Sequence, residues 1–259
     1  MVVDANWLTS HLDDENVVII DSRGIMLFRF GHIKNAIPMG VENVISVDEN
    51  GSYLVIAPQV AEQIFTEMGI DDTKLVIVYG EYPDPSLARI VWTLIYFGHK
   101  NVKILDIGFE NWLRTGYPVT NNFESKNLAT KSDRGFIARI NAFERADAQL
   151  IYEERDKPET TIIDARTPQE HFQARIPGSI LHNHEEGIGD TGKMIKDVEI
   201  LKQNFEKIGI TKDKQIICYC HSGIRAAHTY LQLKQAGFDN VRLYDGSIID
   251  WAKRNYALR

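Results

Sequence analysis

The chain has 259 residues, 44% of them hydrophobic and 25% charged, which is enough apolar material for two packed domains. Its net charge of -7 argues against generic binding to nucleic acid or to anionic membrane surfaces. No apolar run reaches the roughly 18 residues that cross a bilayer, no basic-then-apolar leader opens the chain, and two cysteines make no disulfide framework. The expectation is a protein of a reducing compartment, the cytoplasm, where free thiols persist.

Short apolar runs alternate with amphipathic stretches along the chain. Residues 17–20, 75–79 and 102–105 read as strands in the first half, with helices over 57–68 and 86–97. In the second half, strands are expected at 161–163, 215–219 and 241–244, and helices over 197–208 and 223–236. This alternation predicts an α/β protein with mainly parallel sheets flanked by helices on both faces.

The halves also repeat each other. "VVIIDSRGIMLFRFGHIKNAI" parallels "TTIIDARTPQEHFQARIPGSI", so that Asp21, Arg23, His32 and Ile33 fall on Asp164, Arg166, Arg175 and Ile176. Further on, "YFGHKNVKILDIGFENW" parallels "QAGFDNVRLYDGSIIDW", with Trp112 on Trp251; both tryptophans read as core aromatics that close their domains. Two copies of one domain are expected, at 1–121 and 135–259, joined by a polar linker at 122–134 without apolar periodicity.

The stretch "CYCHSGIRAAH" holds both cysteines. Cys220 ends a buried-type strand just before a helix, where open α/β sheets bind ligands. Free amides and the helix dipole favour an anion there. Arg225 and His221 add positive charge, and Gly223 lets the loop amides turn inward, so the thiolate, the reactive form, is favoured. Cys218, in mid-strand, reads as a small packing residue. Cys218, Cys220, His221 and His228 do not have the spacing of four convergent zinc ligands, and no metal is expected. The second offset sets "EYPDPSLAR" opposite "CHSGIRAAH", with Glu81 opposite Cys220. Two prolines there lack N–H donors, so the first copy is expected to be catalytically silent.

These motifs resemble the rhodanese domain, and the whole chain resembles a tandem-domain sulfurtransferase of the thiosulfate or 3-mercaptopyruvate type. "IIDSR…GHIKNAI" and "IIDAR…ARIPGSI" are similar to the family's entry motifs, "YCHSGIRAA" to its active-site loop, and "DIGFENW" and "YDGSIIDW" to its exit motifs. The resemblance implies a persulfide on Cys220, ping-pong kinetics and no cofactor. The implied acceptor is cyanide, a thiol or a protein such as a thioredoxin. It implies that the loop of His221, Ser222, Gly223, Ile224 and Arg225 holds the outer sulfur through its amides. Related phosphatases and arsenate reductases carry a loop one residue longer than the six of Cys220 to Arg225, and some copies of the fold are non-catalytic binding modules.

The family also bears on the donor. Ser222 and Gly223 match the mercaptopyruvate type, which relays protons to a histidine and an aspartate of the first domain; His32 and Asp21 stand at the matching positions. Arg225 replaces the usual threonine, and Glu170 stands where both tandem types place a substrate-binding arginine. The joint occurrence of Arg225 and Glu170 suggests that they pair, which leaves Arg175 to bind the donor's anionic group. Ser222 serves equally well as a helix cap.

Overall fold

A computed structural model describes residues 1–122 and 134–259. They fall into two compact units. One comprises 1–44, the described part of 56–140, and 191–194; the other comprises 45–55, 141–190 and 195–259. The expected linker, apart from Asn122 and Arg134, lies outside the described residues.

Each unit is built on a five-stranded parallel sheet. In the first the order is Val2–Val3, Val102–Leu105, Leu75–Tyr79, Val17–Asp21 and Ala36–Pro38. In the second it is Arg145–Ala146, Val241–Tyr244, Gln215–Tyr219, Thr160–Asp164 and Ile180–Leu181. The central strands are runs of Val and Ile that are buried almost throughout, the composition of a parallel sheet covered on both faces. Helices Pro58–Glu67, Ser86–Tyr96, Val198–Lys207 and Ile224–Gln235 form where the 3.6-residue period predicted them. Trp112 and Trp251 are buried, and each indole N–H is satisfied 3.0 Å from a carbonyl, Pro118 O and Ala257 O.

The repeated Asp-x-Arg motif has the same structure in both units. Asp164 accepts from Arg166 Nε at 2.9 Å and Nη2 at 2.6 Å, and from the Tyr219 hydroxyl at 2.8 Å. The Tyr219 oxygen in turn accepts from Ile176 N at 3.2 Å, and Arg166 Nη2 reaches Ala174 O at 2.6 Å. In the first unit Asp21, Arg23, Tyr79, Ile33 and Gly31 repeat every one of these bonds. Both aspartates are fully buried, where an unpaired charge would be prohibitive. Burial and the neighbouring carboxylate push the Tyr219 phenol up, so it stays a donor at any ordinary pH.

This equivalence shifts the sequence alignment at one place. Tyr79 matches Tyr219, so Gly80 stands where Cys220 stands: Phe109 N donates to Gly80 O at 2.9 Å, as Ile248 N donates to Cys220 O at 3.2 Å. Glu81, the residue that the offset of the later repeat sets opposite Cys220, is one position further on. Six residues join strand to helix in the first unit, Pro83 and Pro85 among them, against four in the second.

Beyond the six expected strands, the sheets contain four edge or near-edge pieces of two or three residues, too short to show a period. A hairpin, Ile45–Val47 with Tyr53–Val55, belongs to the second unit although its sequence lies in the first half. Val55 N donates to Asp245 at 2.7 Å and Ser52 Oγ to Asp250 at 3.0 Å.

Tyr219→Phe and Tyr79→Phe each leave a buried carboxylate and a backbone N–H short of a partner. Each is expected to cost about 1–3 kcal/mol in urea unfolding; unchanged midpoints would show that the hydroxyls do not hold the strand ends.

Candidate active site

Cys220 follows the last residue of the strand Gln215–Tyr219, and three residues later Gly223 caps the helix Ile224–Gln235. Gly223 has φ 85°, a left-handed conformation that a side chain would resist. This turn aims its N–H at the thiol, 3.1 Å from Cys220 Sγ. The sulfur therefore sits at the positive end of a twelve-residue helix and accepts a backbone hydrogen bond. Cys220 is only 1% exposed, whereas His221 is exposed and Ser222, Ile224 and Arg225 are half-buried, so the thiol forms the floor of the loop.

The floor is fixed from a second side by a residue that the sequence did not single out. Ser247 Oγ accepts from Cys220 N at 3.0 Å and donates to Tyr244 O at 2.8 Å. The same oxygen is 3.9 Å from Cys220 Sγ. One hydroxyl proton cannot serve both acceptors, and the shorter bond to Tyr244 O takes it, so Ser247 acts on the cysteine backbone. Ser247 adopts φ 54°, a strained conformation for a residue with a Cβ. The helix that follows docks on the loop, with Ile248 N on Cys220 O and Ile249 N on His221 O at 3.4 Å. The signal available in sequence was the serine after Gly246 in "YDGSIIDW".

Arg225 and Glu170 form a two-pronged pair, with Nη1 to Oε2 at 2.7 Å and Nη2 to Oε1 at 2.8 Å. This bears out the suggested pairing. Glu170 also closes a capping box with Thr167 at the start of helix Pro168–Gln173. The guanidinium bonds, helped by those from Thr167, hold the Glu170 carboxyl down to about 2 despite partial burial. Arg225 therefore brings little net charge to the sulfur, because its carboxylate partner largely offsets it.

The matched motifs come from one lineage. Residues 4–115 and 147–254 each match the rhodanese-like domain. The chain belongs to the rhodanese-like family. It is 26% identical over 273 residues to the sulfur carrier protein TtuD of Thermus thermophilus, covering 97% of this chain and 93% of that one. It is 25% identical over 273 residues to a thiosulfate sulfurtransferase of Corynebacterium glutamicum, covering 96% and 87%. Among solved structures, SseA from Escherichia coli, described with the 3-mercaptopyruvate sulfotransferases, is similar with a TM-score of 0.82 at 27% identity, covering 95% of this chain and 98% of that one.

Within this rhodanese-like pair of domains, the second unit brings together Cys220, its loop, Arg225 and Glu170. Arg175 is half-buried in the same unit, its backbone paired with Arg259 and its Nη1 donating to His171 O at 3.3 Å. Asp21 and His32 belong to the first unit. Asp21 is occupied by Arg23 and Tyr79 in the network described above, the same role that Asp164 has in the second unit. His32 stacks on Phe28 at 3.6 Å, and its Nδ1–H donates to Phe28 O at 2.9 Å. Burial lowers its pKa, which keeps the imidazole neutral. Cys218 is fully buried and desolvation pushes its thiol up, the reverse of an activated nucleophile. His228 is buried on the helix, its Nδ1 2.8 Å from the Gln232 amide.

Two predictions follow from this geometry. Ser247→Ala removes the partner of a buried N–H and should cost about 1–3 kcal/mol. Ser247→Gly should cost less, because glycine accepts a positive φ freely; a glycine variant no more stable than the alanine one would contradict the strain at this position. The Glu170 carboxyl is depressed on folding, so its pairing stabilises the protein fully above pH 4.5 and loses that effect as pH falls towards about 2. The stability gap between wild type and Glu170→Gln should therefore shrink through that window in acid titrations followed by circular dichroism.

Proposed function

We propose that this protein is a sulfurtransferase that carries a sulfane sulfur on Cys220. The observation that carries the reading is the Gly223 N–H 3.1 Å from Cys220 Sγ at the start of the helix, a site that favours an anionic sulfur. With thiosulfate as donor, the Cys220 thiolate attacks the outer sulfur, the donor's S–S bond breaks, and sulfite leaves with the electron pair. With 3-mercaptopyruvate the C–S bond breaks instead, and the departing pyruvate carbanion takes up a proton. In the second half-reaction an acceptor thiolate or cyanide attacks the outer persulfide sulfur, and the Cys220 thiolate leaves. The chemistry needs no metal or organic cofactor, because both steps are nucleophilic displacements at sulfur.

The neutralised Arg225 supports the loop as a structural brace and is a poor clamp for a dianionic donor. Arg175, whose guanidinium donates to a carbonyl oxygen, is the candidate for holding the donor's anionic group. Ser222 and Gly223 favour 3-mercaptopyruvate by their match to that type. The acceptor is a small thiol, cyanide or a protein thiol such as that of a thioredoxin. A reduced Cys220 is a condition of the cycle, which suits the cytoplasm. No helix among the described residues is long and apolar enough to cross a membrane.

Incubation with thiosulfate and with 3-mercaptopyruvate, followed by intact-mass and peptide mass spectrometry, tests the proposal. Cys220 should gain about 32 Da, one sulfur atom on its thiolate. The gain and the transfer to cyanide should vanish in Cys220→Ser. No mass gain with either donor, or aryl phosphate turnover lost in Cys220→Ser, would overturn the assignment.

A further inference from the structure

The first unit lacks the thiol, and the surroundings of its loop have the opposite electrostatic character. A Cβ at Gly80 would come within 2.6 Å of Ser22 Oγ, so the serine hydroxyl fills the space a cysteine side chain would need. Beside it, Glu81 lines a cavity of about 400 Å³ whose walls are Leu27, Phe30, Phe109, Leu113 and Val119. These walls are open to solvent: Phe30 is 84% exposed, Leu27 48% and Leu113 46%. A cluster of exposed large apolar side chains around a concavity marks a binding surface.

Arg23, Glu81 and Glu110 supply the cavity's charged groups. Arg23 is already committed, since its guanidinium holds Asp21 through two bonds and lies over the Phe109 ring at 3.5 Å. Its Nη1 is a further 3.9 Å from Glu81 Oε2. One guanidinium therefore faces two carboxylates, Asp21 and Glu81, and Glu110 adds a third acidic residue to the lining. Glu81 is fixed in place, its Oε1 accepting from Glu110 N at 3.1 Å, yet its side chain is 35% exposed and open to a ligand. The exposed ring of Phe30 is itself suited to a cation.

We propose that this cavity of the first unit binds an organic cation with an apolar body, of the aralkylammonium or alkylammonium class. The apolar part fills the space between Leu27, Phe30 and Leu113, and the ammonium meets Glu81 and Glu110 at the rim. All of its lining residues belong to the first unit, and binding requires no sulfur chemistry.

Calorimetric titration of the intact protein with 2-phenylethylammonium, 2-phenylethanol and 3-phenylpropanoate tests this. The ammonium should bind at millimolar concentration, the alcohol at least about fivefold more weakly, and the carboxylate more weakly still, in the order charge attraction and repulsion at a partly exposed site predicts. Glu110→Gln should weaken the ammonium by about two- to fivefold, with little effect on the alcohol. Phe30→Ala should weaken both. Equal binding of ammonium and alcohol, ammonium binding unaltered by either substitution, or no saturation by the ammonium at about 10 mM would each overturn the proposal. No sulfur donor enters the test, so its failure leaves the assignment of Cys220 untouched.

Discussion

A buried aspartate at the end of a central strand is the constraint on which each unit depends. Asp164 has no access to water, and its charge is tolerable only because Arg166, Tyr219 and His171 all bond to it. Those partners lie on three pieces of chain: the turn after the strand, the neighbouring strand, and the helix Pro168–Gln173. Satisfying one carboxylate thus fixes the exit of two parallel strands and the return of the chain through Ala174 and Ile176. Cys220 is the next residue after Tyr219, so the proposed nucleophile inherits its position from this network. The arginine and tyrosine bonds recur in the first unit, which has no thiol and has Phe28 in place of His171, so they belong to the fold.

On this shared frame the loops diverge in electrostatics. In the second unit four residues join strand to helix, and a glycine at positive φ brings an amide onto sulfur. In the first unit the connection is longer and carries Pro83 and Pro85, which cannot donate. The helix contributes roughly half a unit of positive charge at its start. Arg225 would exceed that if it were free, but Glu170 offsets it in a two-pronged pair. The sulfur accepts from a backbone amide, a dipole that is fixed in place and cannot be screened away as a mobile side chain can. The hairpin from the first half of the chain reinforces this rigidity, since it bonds Asp245 and Asp250 on either side of Ser247.

Much of this was legible in sequence, and the failures have physical causes. Runs such as "LVIVY" and "QIICY" are apolar because both their faces are covered, which made the central strands readable. The Asp-x-Arg repeat was visible because a buried charge tolerates almost no substitution, but sequence could not separate its structural role from a catalytic one; the bonds to Tyr79 and Tyr219 do. The partnership of Arg225 and Glu170 was inferable because opposite charges in two motifs that meet have few alternatives to pairing. The offset that set Glu81 opposite Cys220 came from the later repeat, and the strands Leu75–Tyr79 and Gln215–Tyr219 lie one residue off it, before the loop that differs in length. Ser247 escaped notice because its work depends on a backbone angle, and the hairpin because it folds with residues about 190 positions away in sequence, beyond any local period.

The burial of Cys220 constrains the order of events in the proposed cycle. A thiol that is 1% exposed can be approached only by a slim group, and the terminal sulfur of a small donor is one. Once transferred, that sulfur stands about 2 Å beyond the original one, the length of a sulfur–sulfur bond. In the proposed persulfide the reactive atom thus lies one bond beyond the buried thiol position, next to a loop whose His221 is exposed. The loop thus discriminates on entry by size and relaxes that discrimination on exit. This asymmetry would let a small anionic donor supply sulfur to an acceptor as large as a protein thiol, while the unloaded thiolate remains shielded from oxidants too bulky to reach it.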